Sequence, residues 1–150
     1  MPKIILEIII NAPKELVFEL ARSIDFHKES TKHTNEYAIA GKTSGLLNLG
    51  ESVTWRAKHF GLWLVLESKM TELEFPNYFV DEMQRGNFKS FHHKHIFTEE
   101  NNKTTMIDIF DYKSPYGFLG KIIDWLFLEN YMRDFLLTRN ILIKERCECK

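Results

Sequence analysis

The residues with the richest chemistry lie on two neighbouring segments. Phe91, His93, His95 and Phe97 share one parity, and Met106, Asp108, Phe110 and Tyr112 share one on the next segment. Successive side chains of a β-strand point to opposite faces, so each set lines one side of a sheet. An imidazole titrates near neutral pH and can accept or deliver a proton, and a neighbouring carboxylate holds its orientation. His93, His95 and Asp108 are therefore the candidate catalytic groups. His-x-His on one strand face also suits a transition-metal ion if a third ligand such as His59 or Asp108 joins it; spacing alone is a weak signal, and no metal is assigned. The plainer reading is that the histidines and the aspartate satisfy one another in a packed interior. An unpaired buried charge is costly, so a contact between His95 and Asp108 serves either reading.

The register between the two segments follows from their connection. Asn101-Asn102 fits a two-residue hairpin loop, because asparagine tolerates positive φ at both positions. Glu100 then faces Lys103, and counting back pairs Phe97 with Met106, His95 with Asp108, His93 with Phe110 and Phe91 with Tyr112. Cross-strand partners stand ~5 Å apart at Cβ. Both marked sets fall on one face, with His95 beside Asp108.

The surrounding pattern supplies the scaffold. Lys3 to Asn11 reads as an Ile-rich strand, and Pro13 opens a short helix to about Ser23. A second helical turn spans Asp25 to Ser30 with Asp25 as its N-cap; His27 and His33 read as solvated. From Thr34 the period is two. Glu36 to Ala40 is a strand, followed by a loop with Gly41, Gly45 and Gly50. Val53, Trp55, Ala57 and His59 face inward on the next strand, and Leu62, Leu64, Leu66 and Met70 on the one after Phe60-Gly61. Tyr78 to Arg85 follows Pro76-Asn77, and Gly86-Asn87 makes a tight hairpin. A helix from about Phe118 to Lys144 would run roughly 40 Å. Leu119, Ile122, Ile123, Leu126, Tyr131, Phe135 and Leu142 form its apolar stripe, and Lys144-Glu145-Arg146 its solvated end.

Bulk composition narrows the function. The chain has 150 residues and a formal net charge of -1, with 20 Lys+Arg against 21 Asp+Glu. One domain, residues 1-150, suffices, burying roughly two thirds of its unfolded surface. Without a basic stripe, nucleic acid is not expected as a partner. No leader and no ~20-residue apolar span is read, which predicts a cytoplasmic protein without a transmembrane segment. Cys147 and Cys149 suit neither a disulfide framework nor a four-ligand zinc site and read as reduced tail thiols. No serine elbow, phosphate loop or dinucleotide fingerprint appears, so no cofactor is expected.

Strand, two short helices, six antiparallel strands and a long C-terminal helix is the order of the helix-grip fold. Particular residues add a resemblance: Ala12-Pro13 with Val17-Phe18, Trp55 to Phe60-Gly61, Pro76, Phe79-Val80-Asp81-Glu82, Gly86-x-Phe88-x-x-Phe91-x-His93-x-His95-x-Phe97, Asp108 and Tyr112-x-x-Pro115-x-Gly117-x-x-Gly120. The chain resembles the SRPBCC superfamily, the START-like and birch-pollen-allergen-like binders of hydrophobic ligands, over nearly its whole length. It looks most like a bacterial branch of unassigned ligand-binding proteins, which often has Gly-Pro-Phe and Trp where this chain has Gly86-Asn87-Phe88 and Phe91. The resemblance implies an α+β helix-grip fold, with a curved antiparallel sheet of about seven strands wrapped around the C-terminal helix. It also implies a ligand cavity between the two. The expected walls are Trp55, Leu64, Leu66, Phe79, Met83, Phe91, Phe97, Met106, Phe110, Tyr112 and Ile123, with His59, His93, His95 and Asp108 as polar contacts. Such a cavity would carry a lipid, a quinone or a polyketide-like aromatic. The alternatives are a cyclase, dehydratase or hydrolase using a pocket histidine, and an interaction module. The wide apolar arc of the helix also allows a homodimer or a membrane-surface contact.

Overall fold

The computed structural model of the chain describes residues 3–114, 117, 119, 122 and 127–149. Strand β1 (Lys3–Ile10) buries Ile4 and Ile10 and turns Ile5 and Ile9 outward, as strand alternation requires. Helix α1 (Lys14–Ala21) follows, with Val17, Phe18 and Ala21 on its buried face. Pro13 stands just before the helix, where its missing N–H leaves no intrahelical bond unmade. Helix α2 (Ile24–Ser30) is capped by Ser23, whose Oγ accepts from the Phe26 N–H at 3.1 Å. Asp25, the expected cap, sits two positions too late. Its carboxylate instead accepts from the Gly45 N–H at 3.0 Å and ties the helix to the glycine loop.

Six further strands complete one sheet: β2 (Tyr37–Gly41), β3 (Ser52–His59), β4 (Leu62–Glu74), β5 (Tyr78–Arg85), β6 (Ser90–Glu100) and β7 (Lys103–Lys113). The order is β1-β7-β6-β5-β4-β3-β2, with every neighbour antiparallel, so β1 and β2 are the edges. Register shifts between Ala38 and Ala40, Glu67 and Ser68, and Met70 and Glu72 add local bend and twist. Gly41 has φ +72, and a Cβ there would stand 2.4 Å from the Ser52 carbonyl oxygen, so only glycine fits.

Two hairpins use two-residue loops with both positions left-handed: Phe60 and Gly61 at φ 53 and 75, Asn101 and Asn102 at φ 53 and 63. The second has the expected register, with Glu100 opposite Lys103 and His95 opposite Asp108. Gly86-Asn87 differs from expectation: β5 ends at Arg85 and β6 starts at Ser90, so the connection is the longer segment 86–89. Phe88 in that loop folds back onto Phe91, Phe110 and Tyr112. Its packing against the sheet is what widens the loop.

The C-terminal helix α3 (Glu129–Glu148) packs against β1, α1 and α2. The expected beginning near Phe118 falls largely outside the described residues, as does Ile123. The helix continues past Lys144 because that lysine donates to the Ile9 carbonyl at 2.8 Å and to Glu148 at 2.6 Å, while Arg146 pairs with Glu29. Glu145 and Arg146 are exposed, as expected of a solvated end, and these surface contacts tie it to β1 and α2. Cys147 is half-buried within the helix, and burial pushes its thiol up to about 11. Buried helical positions are Leu136, Arg139, Asn140 and Ile143, whereas Leu119 and Ile122 of the expected stripe are exposed and Tyr131, Phe135 and Leu142 half-buried, so the buried line differs from the expected one and includes two polar residues. No helix among the described residues is long and apolar enough to cross a membrane.

The interior divides in two. Around Phe18, side chains from β1, α1 and α3 and from the sheet pack closely, with Phe18 set edge-on to Phe75 and Phe79 at ring distances of 5.2 and 5.3 Å. A smaller cluster joins Ile4, Phe91, Phe110, Tyr112 and Leu136. Between the sheet and α3, beside the second cluster, the packing opens into a cavity.

Candidate functional site

The cavity has a volume of about 540 Å³ and lies between the inward faces of the sheet and the helices. Its size falls in the range of small-molecule sites. Trp55, His59, Leu64, Leu66, Phe79, Phe91, His93, His95 and Phe110 line it, as the strand parities predict. Other expected wall residues are placed elsewhere. Phe97 and Met106 are packed against the Phe18 cluster, because β6 and β7 run on beyond the cavity toward the α1 end of the sheet. Tyr112 is fully buried behind Phe91 and Phe110, and Met83 packs against the same group. Asp108 is also fully buried and sits behind the histidines rather than on the wall.

The polar end of the cavity is a network on β5, β6 and β7, closed by α3. His95 Nε2 lies 2.8 Å from Asp81 Oδ1, and Ser68 donates to Asp81 Oδ2 at 3.2 Å. His93 Nε2 lies 3.2 Å from Asp108 Oδ1, and the Asn140 amide donates to Asp108 Oδ2. His95 Nδ1 is also 2.8 Å from Asp108 Oδ1, so one carboxylate oxygen is within reach of both rings. The His95 ring lies face to face with Phe79 at 4.2 Å and 3.8 Å from the His93 ring, which fixes its plane.

This geometry pulls the ionisations apart. Burial opposes charge on Asp108, yet the hydrogen bonds and charges of His93 and His95 outweigh it and hold its carboxyl well below the usual range. Burial likewise opposes ionisation of Asp81, and the His95 contact overcomes it, bringing the carboxyl to about 2. For His95 burial works against the proton, but two carboxylates raise its basicity above the ordinary value. His93 goes the other way, lowered by burial and by the neighbouring His95 charge, with Asp108 only partly compensating. The pair thus contains one imidazole that favours its proton and one that favours neutrality.

The opposite side of the cavity is different. His59 hydrogen-bonds the Tyr131 hydroxyl and packs against Phe135 at 5.6 Å, with its basicity lowered by burial. His27, expected to be solvated, has its Nε2 2.8 Å from Glu36 Oε1 and its ring 4.3 Å from Trp55. His33 is exposed at the surface, 5.8 Å from the Phe135 ring. His59 is therefore not beside the His-x-His pair. Among the described residues, Asp81, His93 and His95 are the group whose donor atoms converge, all within 4.8 Å of one another.

Asp81 was within reach of sequence reasoning, since it shares parity with Phe79 and Met83 in mid-strand. Asn140 and Arg139 follow Leu136 and precede Ile143 at helical spacing, so polar residues inside the buried arc were the available signal. Arg139 donates to the Ala21 carbonyl at 2.7 Å and lines the cavity.

No protein-family model matches the chain, and no curated protein matches it by sequence. Solved structures do. Protein TTHA0849 from Thermus thermophilus superposes with a TM-score of 0.79 at 19% identity, covering 97% of each chain. Ginseng major latex-like protein 151 from Panax ginseng gives 0.70 at 14% identity, covering 99% of this chain and 98% of that one. The KanY protein gives 0.72 at 10% identity over 99% of this chain and all of the other. At these identities the likeness speaks for architecture and not for what the cavity holds. With its seven-stranded sheet, two short helices after β1 and long C-terminal helix, the chain has the helix-grip fold that these structures share.

Proposed function

We propose that this protein binds a small hydrophobic molecule with one polar group, such as a lipid, a quinone or a polyketide-like aromatic. The observation that carries this reading is a cavity of about 540 Å³ with largely apolar walls and a convergent polar cluster at one end. Apolar walls provide affinity by removing ligand surface from water, and a few fixed polar groups orient it. The ligand's apolar body lies along Trp55, Leu64, Leu66 and Phe91, and its polar group meets Asp81, His93 and His95. Two free cysteines, one half-buried, fit a reducing compartment and cytoplasmic action.

Native mass spectrometry before and after organic extraction, with titration of an environment-sensitive hydrophobic dye, tests the reading. A co-purifying apolar molecule or saturable dye binding displaced by apolar compounds is expected. Folded protein with neither would end it. Phe110→Ala should alter dye affinity by reshaping the wall beside His93; unchanged binding in a folded variant would remove Phe110 from the site.

A second reading, acid–base catalysis on such a molecule, is favoured by the opposed ionisations of His93 and His95. Asp108→Asn separates the two. In an enzyme it cuts turnover by orders of magnitude with little change in binding, as for other orienting carboxylates. In a carrier it changes affinity by about 1–2 kcal/mol.

A further inference from the structure

We propose that Asp81, His93 and His95 form a binding site for one divalent first-row transition-metal ion, with open coordination positions facing the cavity. The three side chains offer two nitrogen donors and one oxygen donor, all within 4.8 Å of one another. Bonds of about 2.0–2.2 Å to a tetrahedral ion place ligand atoms roughly 3.3 Å apart, so small side-chain rotations suffice. The closest pair, His95 Nε2 and Asp81 Oδ1 at 2.8 Å, need only open to admit an ion in place of the shared proton.

The surroundings fit a metal better than they fit packing alone. Imidazole ligands of metals usually hold a carboxylate at their other nitrogen, which fixes the tautomer and strengthens the donor. Here one buried carboxylate serves both rings: Asp108 Oδ1 is 3.2 Å from His93 Nε2 and 2.8 Å from His95 Nδ1. Asn140 anchors its other oxygen. His95 is 2% exposed, and its Nδ1 faces the buried Asp108 carboxylate at 2.8 Å. A metal at Nε2 would require the proton on Nδ1, facing Asp108. Charge points the same way. The buried Asp108 and the partly buried Asp81 bring two negative charges to this end of the cavity, where Arg139 also acts on Asp81, and a divalent cation adds balancing charge without protonating a histidine. Three protein ligands and a solvent-reachable side is the arrangement of an open rather than a closed metal site.

The site goes beyond the ligand-binding reading, and its test does not depend on it. Co²⁺ and Zn²⁺ are titrated separately into the full chain carrying Cys147→Ser and Cys149→Ser, which removes both thiols as competing ligands. One equivalent should bind saturably. Co²⁺ should produce visible bands of a low-coordinate nitrogen–oxygen site and should broaden the imidazole NMR signals of His93 and His95 far more than that of His33. Asp81→Asn and His93→Gln, shown to be folded by circular dichroism, should abolish stoichiometric binding, and Asp108→Asn should weaken it by about 10- to 100-fold. Absence of saturable binding in the thiol-free protein would overturn the proposal. So would binding that leaves the His93 and His95 signals unbroadened, a readout that holds even if no variant folds.

Discussion

Two histidine–carboxylate contacts of the same length face the cavity from opposite sides, and they are not equivalent. His27 Nε2 to Glu36 and His95 Nε2 to Asp81 are both 2.8 Å. The first joins the α2 end of the molecule to the segment before β2, with the His27 side chain 23% exposed, and among the described residues its histidine meets one carboxylate. The second lies under a sheet, with the His95 side chain 2% exposed, and its ring meets two carboxylates and a second imidazole. Contact distance therefore says little about chemistry. Burial and the number of charges sharing the space decide how far protonation is biased, because screening by water falls away in the interior.

The sharpest way to break this comparison is to remove the shared carboxylate. Asp108→Ala leaves His93 and Asn140 without their partner and His95 with one carboxylate, in a place shielded from solvent. We expect a loss of about 3–5 kcal/mol in urea unfolding, the range for one partner taken from a buried pair. A loss under about 1 kcal/mol would mean that the network relaxes and that burial is not the deciding difference.

Acid titration of the metal-free protein gives the next largest effect. A carboxyl held near 2 rather than at its ordinary 3.8 stabilises the fold by about 2 kcal/mol at pH values above 3.8. That contribution is lost as pH falls through about 2, and Asp108 acts in the same direction. The two imidazoles oppose one another. His95, raised, contributes fully below 6.5 and less as pH climbs through its folded value; His93, lowered, contributes fully above 6.5 and less as pH falls. Asp81→Asn should flatten the acid limb of the stability curve between about pH 4 and pH 2. An unchanged limb would remove Asp81 from the account.

Glu36→Gln should have the smallest effect, under about 1 kcal/mol, because the Gln amide oxygen can still accept from the His27 ring and a single contact is changed. A loss as large as that from Asp108→Ala would make the two sites equivalent after all.

Much of this was legible in the chain. Period-two patterning from Thr34 onward placed the meander, and Asn101-Asn102 set the β6–β7 register to the residue, because a two-residue loop with both positions left-handed permits one pairing. His93 and His95 on the inner face followed from parity. What patterning could not reach were contacts made across elements. Asp81 meets His95 through the register of β5 on β6, which the four-residue loop 86–89 leaves open to counting. Asn140 reaches Asp108 only because α3 is laid across the sheet at one particular rotation.

By itself, then, the sequence determined the order of the elements, the inward faces of β3 to β7 and the hairpin that sets His95 against Asp108. These are local matters, governed by backbone sterics and side-chain alternation over a few residues. Only the tertiary structure decided which inward residues wall a cavity and which disappear into packing. Phe97 and Phe91 share a strand face, yet Phe97 packs against Phe18 while Phe91 lines open space. The difference lies in what stands opposite each along the sheet. That is set by how the helices close over it, a property of the whole chain that no local pattern encodes.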